Sequence, residues 1–230
     1  MTMIKKKELG IGLFLMVTFI AVMIAIFMPI FDGKNGLDYL DNLYNSISKG
    51  SAYYIPKVEH MVEDHGSEVV TLNLKMADAE TAAAVEPLFA KIGLTTSVEA
   101  NNLMVNGDLA AIFGACLDDA DAAYHNRGEE IEAKYGASSR AMLYGWWAVL
   151  TAMEKDLKRQ KLFKAADLTH TVQAKTVECA YNYYGIEAQN IKDRWAIVLF
   201  SLVFYVIYTV WYGYAIMYIF EGLGFELAAH

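Results

Sequence analysis

The chain has 230 residues, of which 56% are hydrophobic, and its net charge at pH 7 is −8. Two uncharged runs hold much of this apolar content, and residues 33–194 between them carry 23 acidic against 16 basic side chains. This middle segment has the length of one ordinary domain. Its negative balance argues against nucleic acid as a partner and against general attraction to anionic lipid.

The first uncharged run extends from Leu9 to Phe31. A hydrocarbon core about 30 Å thick needs about 20 helical residues, so this run predicts a transmembrane helix over 9–31 after a cytoplasmic tail over 1–8. Lys5, Lys6 and Lys7 favour a cytoplasmic N-terminus. The run is longer than a cleaved signal peptide and no small-residue cleavage site follows it, so we expect an uncleaved signal anchor.

Residues 32–66 predict a short helical juxtamembrane segment. Gly33 and Gly36 are expected to end the first helix as it leaves the membrane, and Pro56 to open a helix that Gly66 ends. Another short helix before Gly50 is indicated by apolar residues at helical spacing, which are Leu37, Leu40, Tyr44 and Ile47.

The helix after Pro56 contains the densest group of possible metal ligands. His60, Glu63 and Asp64 share one helical face, whereas His65 points away and no H-E-x-x-H motif is present. A polar surface helix is the favoured interpretation and a metal site is a weak alternative. We expect no cofactor.

Residues 67–125 predict a small α/β unit in the order strand, helix, strand, strand, helix. The strands are indicated by alternating apolar residues near 68–76, 94–100 and 103–105. Asp78 is expected to cap the first helix, Pro87 to kink or restart it, and Asn106-Gly107-Asp108 to turn into the second. The expected result is an antiparallel or mixed sheet covered on one face by two helices.

Acidic residues concentrate between positions 99 and 132. Their spacing matches no calcium-binding loop, so a solvated acidic face is favoured over a divalent-cation site. They are Glu99, Asp108, Asp118, Asp119, Asp121, Glu129, Glu130 and Glu132. The two cysteines, Cys116 and Cys179, could pair in an oxidising compartment; apolar neighbours favour free, buried thiols instead.

Residues 126–194 predict a connection followed by a long helical hairpin that continues into the second apolar run with little interruption. Tyr144, Trp146 and Trp147 could form an aromatic ligand site, although aromatics at helical spacing are more often core. The end of the first hairpin helix is basic. A partner's acidic surface, the protein's own acidic segment or the helix C-terminus could complement its cations, which include Lys158, Arg159 and Lys161.

The second uncharged run predicts a transmembrane helix over 195–220 before a short tail over 221–230. Its polar-tipped aromatics are unusual, because a phenol or indole facing lipid lacks a hydrogen-bond partner. Ser201, Tyr205, Tyr208 and Tyr212 fall on one face, and Trp211 lies beside it. We interpret these residues as contacts to other transmembrane helices; a quinone or similar cofactor on that face is a weaker alternative.

The sequence therefore predicts a membrane-anchored α+β protein, with two transmembrane helices flanking an extracytoplasmic domain in the cell (inner) membrane of a bacterial envelope. This layout is similar to that of bacterial polysaccharide chain-length regulators, although the proline-rich stretch they carry by the second span is absent. No catalytic motif stands out. We expect a non-enzymatic structural or accessory subunit whose partners are other membrane-protein subunits, further copies of itself, and the bilayer. The alternatives are a ligand-binding sensor-like domain that signals through a partner and an accessory subunit of a membrane redox complex.

Overall fold

The computed structural model describes residues 4–31 and 33–225, so parts of the two predicted tails lie outside the described residues. The chain has a mixed α+β fold with a small antiparallel sheet and two long apolar helices, and the predicted order of strands and helices is matched in outline. Its elements are α1 (Lys6–Phe27), α2 (Gly36–Lys49), α3 (Ile55–His65), β1 (Val69–Lys75), α4 (Ala79–Ala90), β2 (Thr95–Glu99), β3 (Asn102–Asp108), α5 (Leu109–Tyr124), α6 (Gly128–Tyr135), α7 (Ser139–Arg159), α8 (Phe163–Val172), a π turn (Gln173–Val177), α9 (Glu178–Tyr183) and α10 (Ile191–Gly222).

The elements form two compact units, unit 1 with residues 1–47 and 188–230 and unit 2 with residues 48–187. Unit 1 holds α1, most of α2, and α10. Unit 2 holds the sheet and the remaining helices.

The helix α1 begins before the predicted span and ends four residues before Phe31. Pro29 explains the early end, because the residue before a proline is forced out of the helical region. Met28 is accordingly extended, with φ −75° and ψ 144°. Gly33, expected to end the helix, lies instead in a turn beyond it that a backbone bridge between Phe31 and Lys34 closes.

In unit 1, α1 and α10 pack against each other along one seam. The more buried positions recur at alternating intervals of three and four residues, the spacing by which two nearly antiparallel helices interlock. On α10 they are Ser201, Phe204, Tyr208, Trp211, Ala215, Tyr218 and Gly222, and on α1 they are Gly12, Leu15, Phe19, Val22 and Ile26.

Two glycines bring the backbones of α1 and α10 close together. A Cβ atom on Gly12 would lie 2.6 Å from the backbone nitrogen of Ile219, and one on Gly222 would lie 2.5 Å from that of Leu9. Because these obstacles are backbone atoms, no side-chain rotation relieves the clash. The backbone N–H of Lys5 donates to the carbonyl of Gly222 at 3.0 Å and fixes the same end of the pair.

Unit 2 contains an antiparallel sheet in the order β1-β3-β2. The predicted turn at residues 106–108 is wrong, because β3 continues through Asn106 and Gly107 and leads directly into α5. Asp108 makes this junction: its carboxylate accepts the backbone N–H of Glu68 at 2.9 Å and that of Ala110 at 3.1 Å. A capped helix start thus needs no intervening turn.

Other local signals are matched in part. Asp78 caps α4, accepting the N–H of Thr81 at 2.7 Å as predicted, but α4 continues through Pro87 to Ala90. The predicted connection after residue 126 contains the helix α6. Residues 184–190 are not helical and separate α9 from α10, where Asn190 caps the new helix, so the interruption is longer than the small one expected.

The sheet and the helices of unit 2 share one hydrophobic core. Its largest fully buried side chains include Trp146, Phe89, Phe113, Leu72, Leu103 and Leu143. Both cysteines are free thiols; Cys116 is buried, whereas Cys179 is only half-buried.

Candidate functional site

The seam between α1 and α10 uses two of the aromatic side chains that the sequence predicts as contacts to other helices. The indole N–H of Trp211 donates to the carbonyl of Leu15 at 3.1 Å. Tyr208 stacks on Phe19 with ring centroids 4.2 Å apart, and its hydroxyl donates to the Phe19 carbonyl at 3.4 Å. Both polar tips therefore find acceptors within the chain itself.

Two further predicted contact residues face outward. Tyr205 is 69% exposed and Tyr212 is 44% exposed, although the Tyr212 ring also touches Phe19 at 5.0 Å between centroids. Neither hydroxyl has a hydrogen-bond partner in the described part of the chain. Ser201, the fourth member of the predicted face, bonds the Tyr44 hydroxyl at 2.6 Å.

The predicted metal ligands lie on the exposed surface of α3. His60 Nδ1 is 3.1 Å from Glu63 Oε2, and both side chains are largely exposed. Asp64, the third candidate, is exposed as well. Within residues 4–31 and 33–225, no group of three or more His, Cys, Asp or Glu side chains is arranged to hold a metal ion.

The basic end of α7 is partly neutralised by acids of the same helix. Lys158 pairs with Glu154 at 2.5 Å, and Arg159 pairs with Asp156 at 2.8 Å. Asp156 also accepts the backbone N–H of Asn73 in β1 at 2.9 Å, so this cluster fastens α7 to the sheet. Lys161 follows in the left-handed conformation, with φ 64°, where the helix ends.

Asp119 departs from the predicted solvated acidic face, because it is 3% exposed. One carboxylate oxygen accepts Lys134 Nζ at 2.7 Å; the other accepts the Tyr135 hydroxyl at 2.6 Å and the Trp146 indole N–H at 2.7 Å. Burial, together with the bond to Asp119, raises the pKa of Tyr135 well above its ordinary range. This buried cluster joins α5, α6 and α7 and has a structural role.

Lys49 is another buried charge in unit 2. Its ammonium donates to the carbonyl of Ile186 at 2.6 Å, and to the Tyr183 carbonyl and Asn126 Oδ1, each at 3.2 Å. Burial lowers the pKa of Lys49, and the charge of Glu187 opposes that effect. The bonds to Tyr183 and Ile186 hold the first and last segments of unit 2 side by side, and the bond to Asn126 ties Lys49 to the segment after α5.

The aromatic trio predicted either as core or as a ligand site divides between the two roles. Trp146 is fully buried, whereas Tyr144 is 56% and Trp147 is 36% exposed. The rings of Tyr144 and Trp147 stack, with centroids 5.8 Å apart and planes inclined by 20°. We call these two residues the aromatic pair.

Two grooves flank the aromatic pair, and both rings of the pair line each groove. The acidic groove, about 340 Å³, is lined in addition by Leu143, Val177, Glu178, Tyr181 and Asn182. The basic groove, about 330 Å³, is lined in addition by residues that include Lys75, Met76, Thr81, Thr151 and Lys155. Both volumes are at the lower end of the range for small-molecule sites. Of this arrangement, sequence reasoning found the aromatic pair but not Tyr181, Glu178 or Lys75.

Comparison with known proteins yields no relative: no family model, no curated protein and no solved structure matches this chain.

Proposed function

We propose that this chain is a two-span integral membrane protein that acts, without catalysis of its own, as a structural or accessory subunit of a membrane complex or homo-oligomer. The observation that carries the proposal is the open apolar surface of α1 and α10. Only 6% of the most apolar 18-residue stretch of each helix is buried. Water would impose a large free-energy cost on that surface, whereas lipid or other membrane helices would cover it.

The dimensions of the two helices support a transmembrane placement. α1 has 22 residues and α10 has 32. These correspond to about 33 Å and 48 Å of helix, and a hydrocarbon core is about 30 Å thick. Extraction of membranes with alkaline carbonate tests this part directly: the chain should remain with the lipid, and its release would refute a spanning role.

The subunit role is supported by the outward tyrosines of α10. In hydrocarbon, the hydroxyls of Tyr205 and Tyr212 need partners that the described part of this chain does not supply. Helices of a further copy or another subunit would provide them, at about 1 kcal/mol for each bond. Tyr208 is the matched internal control, because its hydroxyl already bonds to α1.

The experiment is purification in mild detergent followed by a mass measurement of the complex. Tyr205→Phe and Tyr212→Phe should reduce recovery of the complex, and Tyr208→Phe should leave it unchanged. A lone monomer of the wild-type chain with no co-purifying protein would overturn the subunit proposal. A reporter fused near residue 120 tests the proposed extracytoplasmic side, and cytosolic activity of that reporter would contradict it.

A second candidate function, ligand binding by unit 2 with signalling through a partner chain, is favoured by the two grooves beside the aromatic pair. A ligand that binds only the folded state raises the melting temperature by mass action. Screening the detergent-solubilised chain for such shifts tests this candidate. We expect at least one ligand to raise the melting temperature of the wild type but not that of Trp147→Ala, and failure to find one would refute the candidate.

A further inference from the structure

We propose that the acidic groove of unit 2 binds a small organic cation of the quaternary-ammonium type; this inference rests on the ligand-binding candidate above and names its ligand class. The groove combines three aromatic rings, those of Tyr144, Trp147 and Tyr181, with one carboxylate, that of Glu178. Aromatic faces and a nearby carboxylate are the two elements that attract a soft organic cation, because the ring quadrupole and the negative charge act in the same direction.

The carboxylate of Glu178 is held in place and remains partly available. One of its oxygens accepts the indole N–H of Trp147 at 2.9 Å, which orients the side chain beside the ring. Its other oxygen has no hydrogen-bond partner or salt bridge among the described residues. The same contact thus fixes an aromatic face and an open negative charge next to each other.

The distribution of charge between the two grooves selects a cation for this one. Among the described residues, no lysine or arginine lines the acidic groove, whereas Lys75 and Lys155 line the basic groove on the other side of the aromatic pair. An anion in the acidic groove would face Glu178, and no cation among the described lining residues would compensate its charge. Arg140 lies over Tyr181, 5.5 Å from its ring centroid, and Tyr144 and Trp147 stack on each other, so each of the three rings has at most one face left for a ligand.

Choline and its uncharged isostere 3,3-dimethyl-1-butanol provide the test, because they differ in charge at nearly constant shape. Binding to the full chain is measured by calorimetry and by tryptophan fluorescence, in a maltoside detergent that carries no choline group. We expect choline to bind about tenfold or more tightly than the isostere. Equal affinities would overturn the inference, since they would indicate a groove that selects shape alone.

Glu178→Gln tests the role assigned to the carboxylate. The glutamine oxygen can still accept the Trp147 indole N–H, so the substitution removes charge with little change of shape. We expect choline affinity to fall about tenfold while the weak affinity for the isostere stays unchanged. Glu129→Gln, which makes the same change on the exposed surface of α6, is the matched control and should have no effect.

Two further outcomes separate this inference from the candidate function beneath it. Binding of benzoate or inorganic phosphate that depends on Lys155, without binding of choline, would overturn the cation site while the ligand-binding candidate survives. Absence of binding by choline and by every ligand screened would overturn both. Unchanged choline affinity in Glu178→Gln would also refute the assignment, whatever the other ligands do.

Discussion

Replacement of Asp119 should destabilise unit 2 more than any other single removal of a negative charge in the acidic segment. Its carboxylate receives Lys134, Tyr135 and Trp146 at 2.6–2.7 Å in a buried environment. Asp119→Ala would leave all three donors without this acceptor. Lys134 can turn to water because a third of its side chain is exposed, but the indole N–H of Trp146 cannot.

The magnitude follows from these differences in access. An unsatisfied buried donor costs about 1–3 kcal/mol, and breaking a buried charge-assisted cluster about 3–5 kcal/mol. We therefore expect Asp119→Ala to lower the free energy of unfolding by about 3–5 kcal/mol. Asp119→Asn should cost about 1–3 kcal/mol, because the amide oxygen can still accept from Tyr135 and Trp146 while its NH₂ faces the partly exposed Lys134.

Urea unfolding of the detergent-solubilised chain, followed by near-UV circular dichroism, measures the effect. Asp118→Asn is the matched control, since this neighbouring carboxylate is exposed and its replacement should change the free energy by no more than about 0.5 kcal/mol. If Asp119→Ala were no more destabilising than Asp118→Asn, the buried cluster would not stabilise the fold and the reasoning would be refuted.

Gly12→Ala should loosen the pairing of α1 with α10 and lower the thermal stability of that pair in detergent, whereas Gly10→Ala, where an added Cβ meets nothing within 4 Å, should not; equal effects would contradict the close approach at the seam. Maleimide should label Cys179 slowly and Cys116 only after unfolding, because burial raises the pKa of both thiols; rapid labelling of native Cys116 would be the contrary result. Asp108→Asn should make the free energy of unfolding fall less steeply as the pH is lowered into the acid range. A hydrogen bond from a neighbouring serine hydroxyl, with two from backbone N–H groups, lowers the pKa of Asp108, so its contribution is present above the ordinary value of 3.8 and is lost as the pH falls through the folded value. Urea unfolding at a series of pH values around and below 3.8 measures this effect. If the stability of the variant and of the wild type fell equally with pH, Asp108 would make no such contribution.

Local signals predicted much of the secondary structure. Asp78 before an alanine-rich stretch indicated a helix start, and alternating apolar residues indicated the three strands, because both patterns act over a few neighbouring residues. The turn expected at Asn106-Gly107-Asp108 failed for a tertiary reason. β3 lies between β1 and β2, so its backbone remains paired through residues that would favour a turn in isolation.

The candidate site was less predictable, because the rotation of a helix depends on its neighbour. Trp211 and Tyr212 are adjacent in sequence, yet Trp211 bonds to α1 while the Tyr212 hydroxyl faces outward. Because the partner of Trp211 is a carbonyl of α1, the sequence of α10 alone does not encode this difference. For Asp119 a signal did exist: it lies three residues after Cys116 and four before Ala123, on the buried face of α5.

The π turn has a consequence for how the acidic groove tolerates a change in chain length. Its wider winding accommodates one more residue than an α-helical turn, and such single-residue insertions are tolerated where they realign a useful side chain. Deleting Ala174 in frame would restore regular winding, and α9 would keep its direction because the wide turn takes up the extra residue locally. Glu178 would then stay beside the indole of Trp147, so a change of chain length inside the π turn would leave the carboxylate of the acidic groove in place.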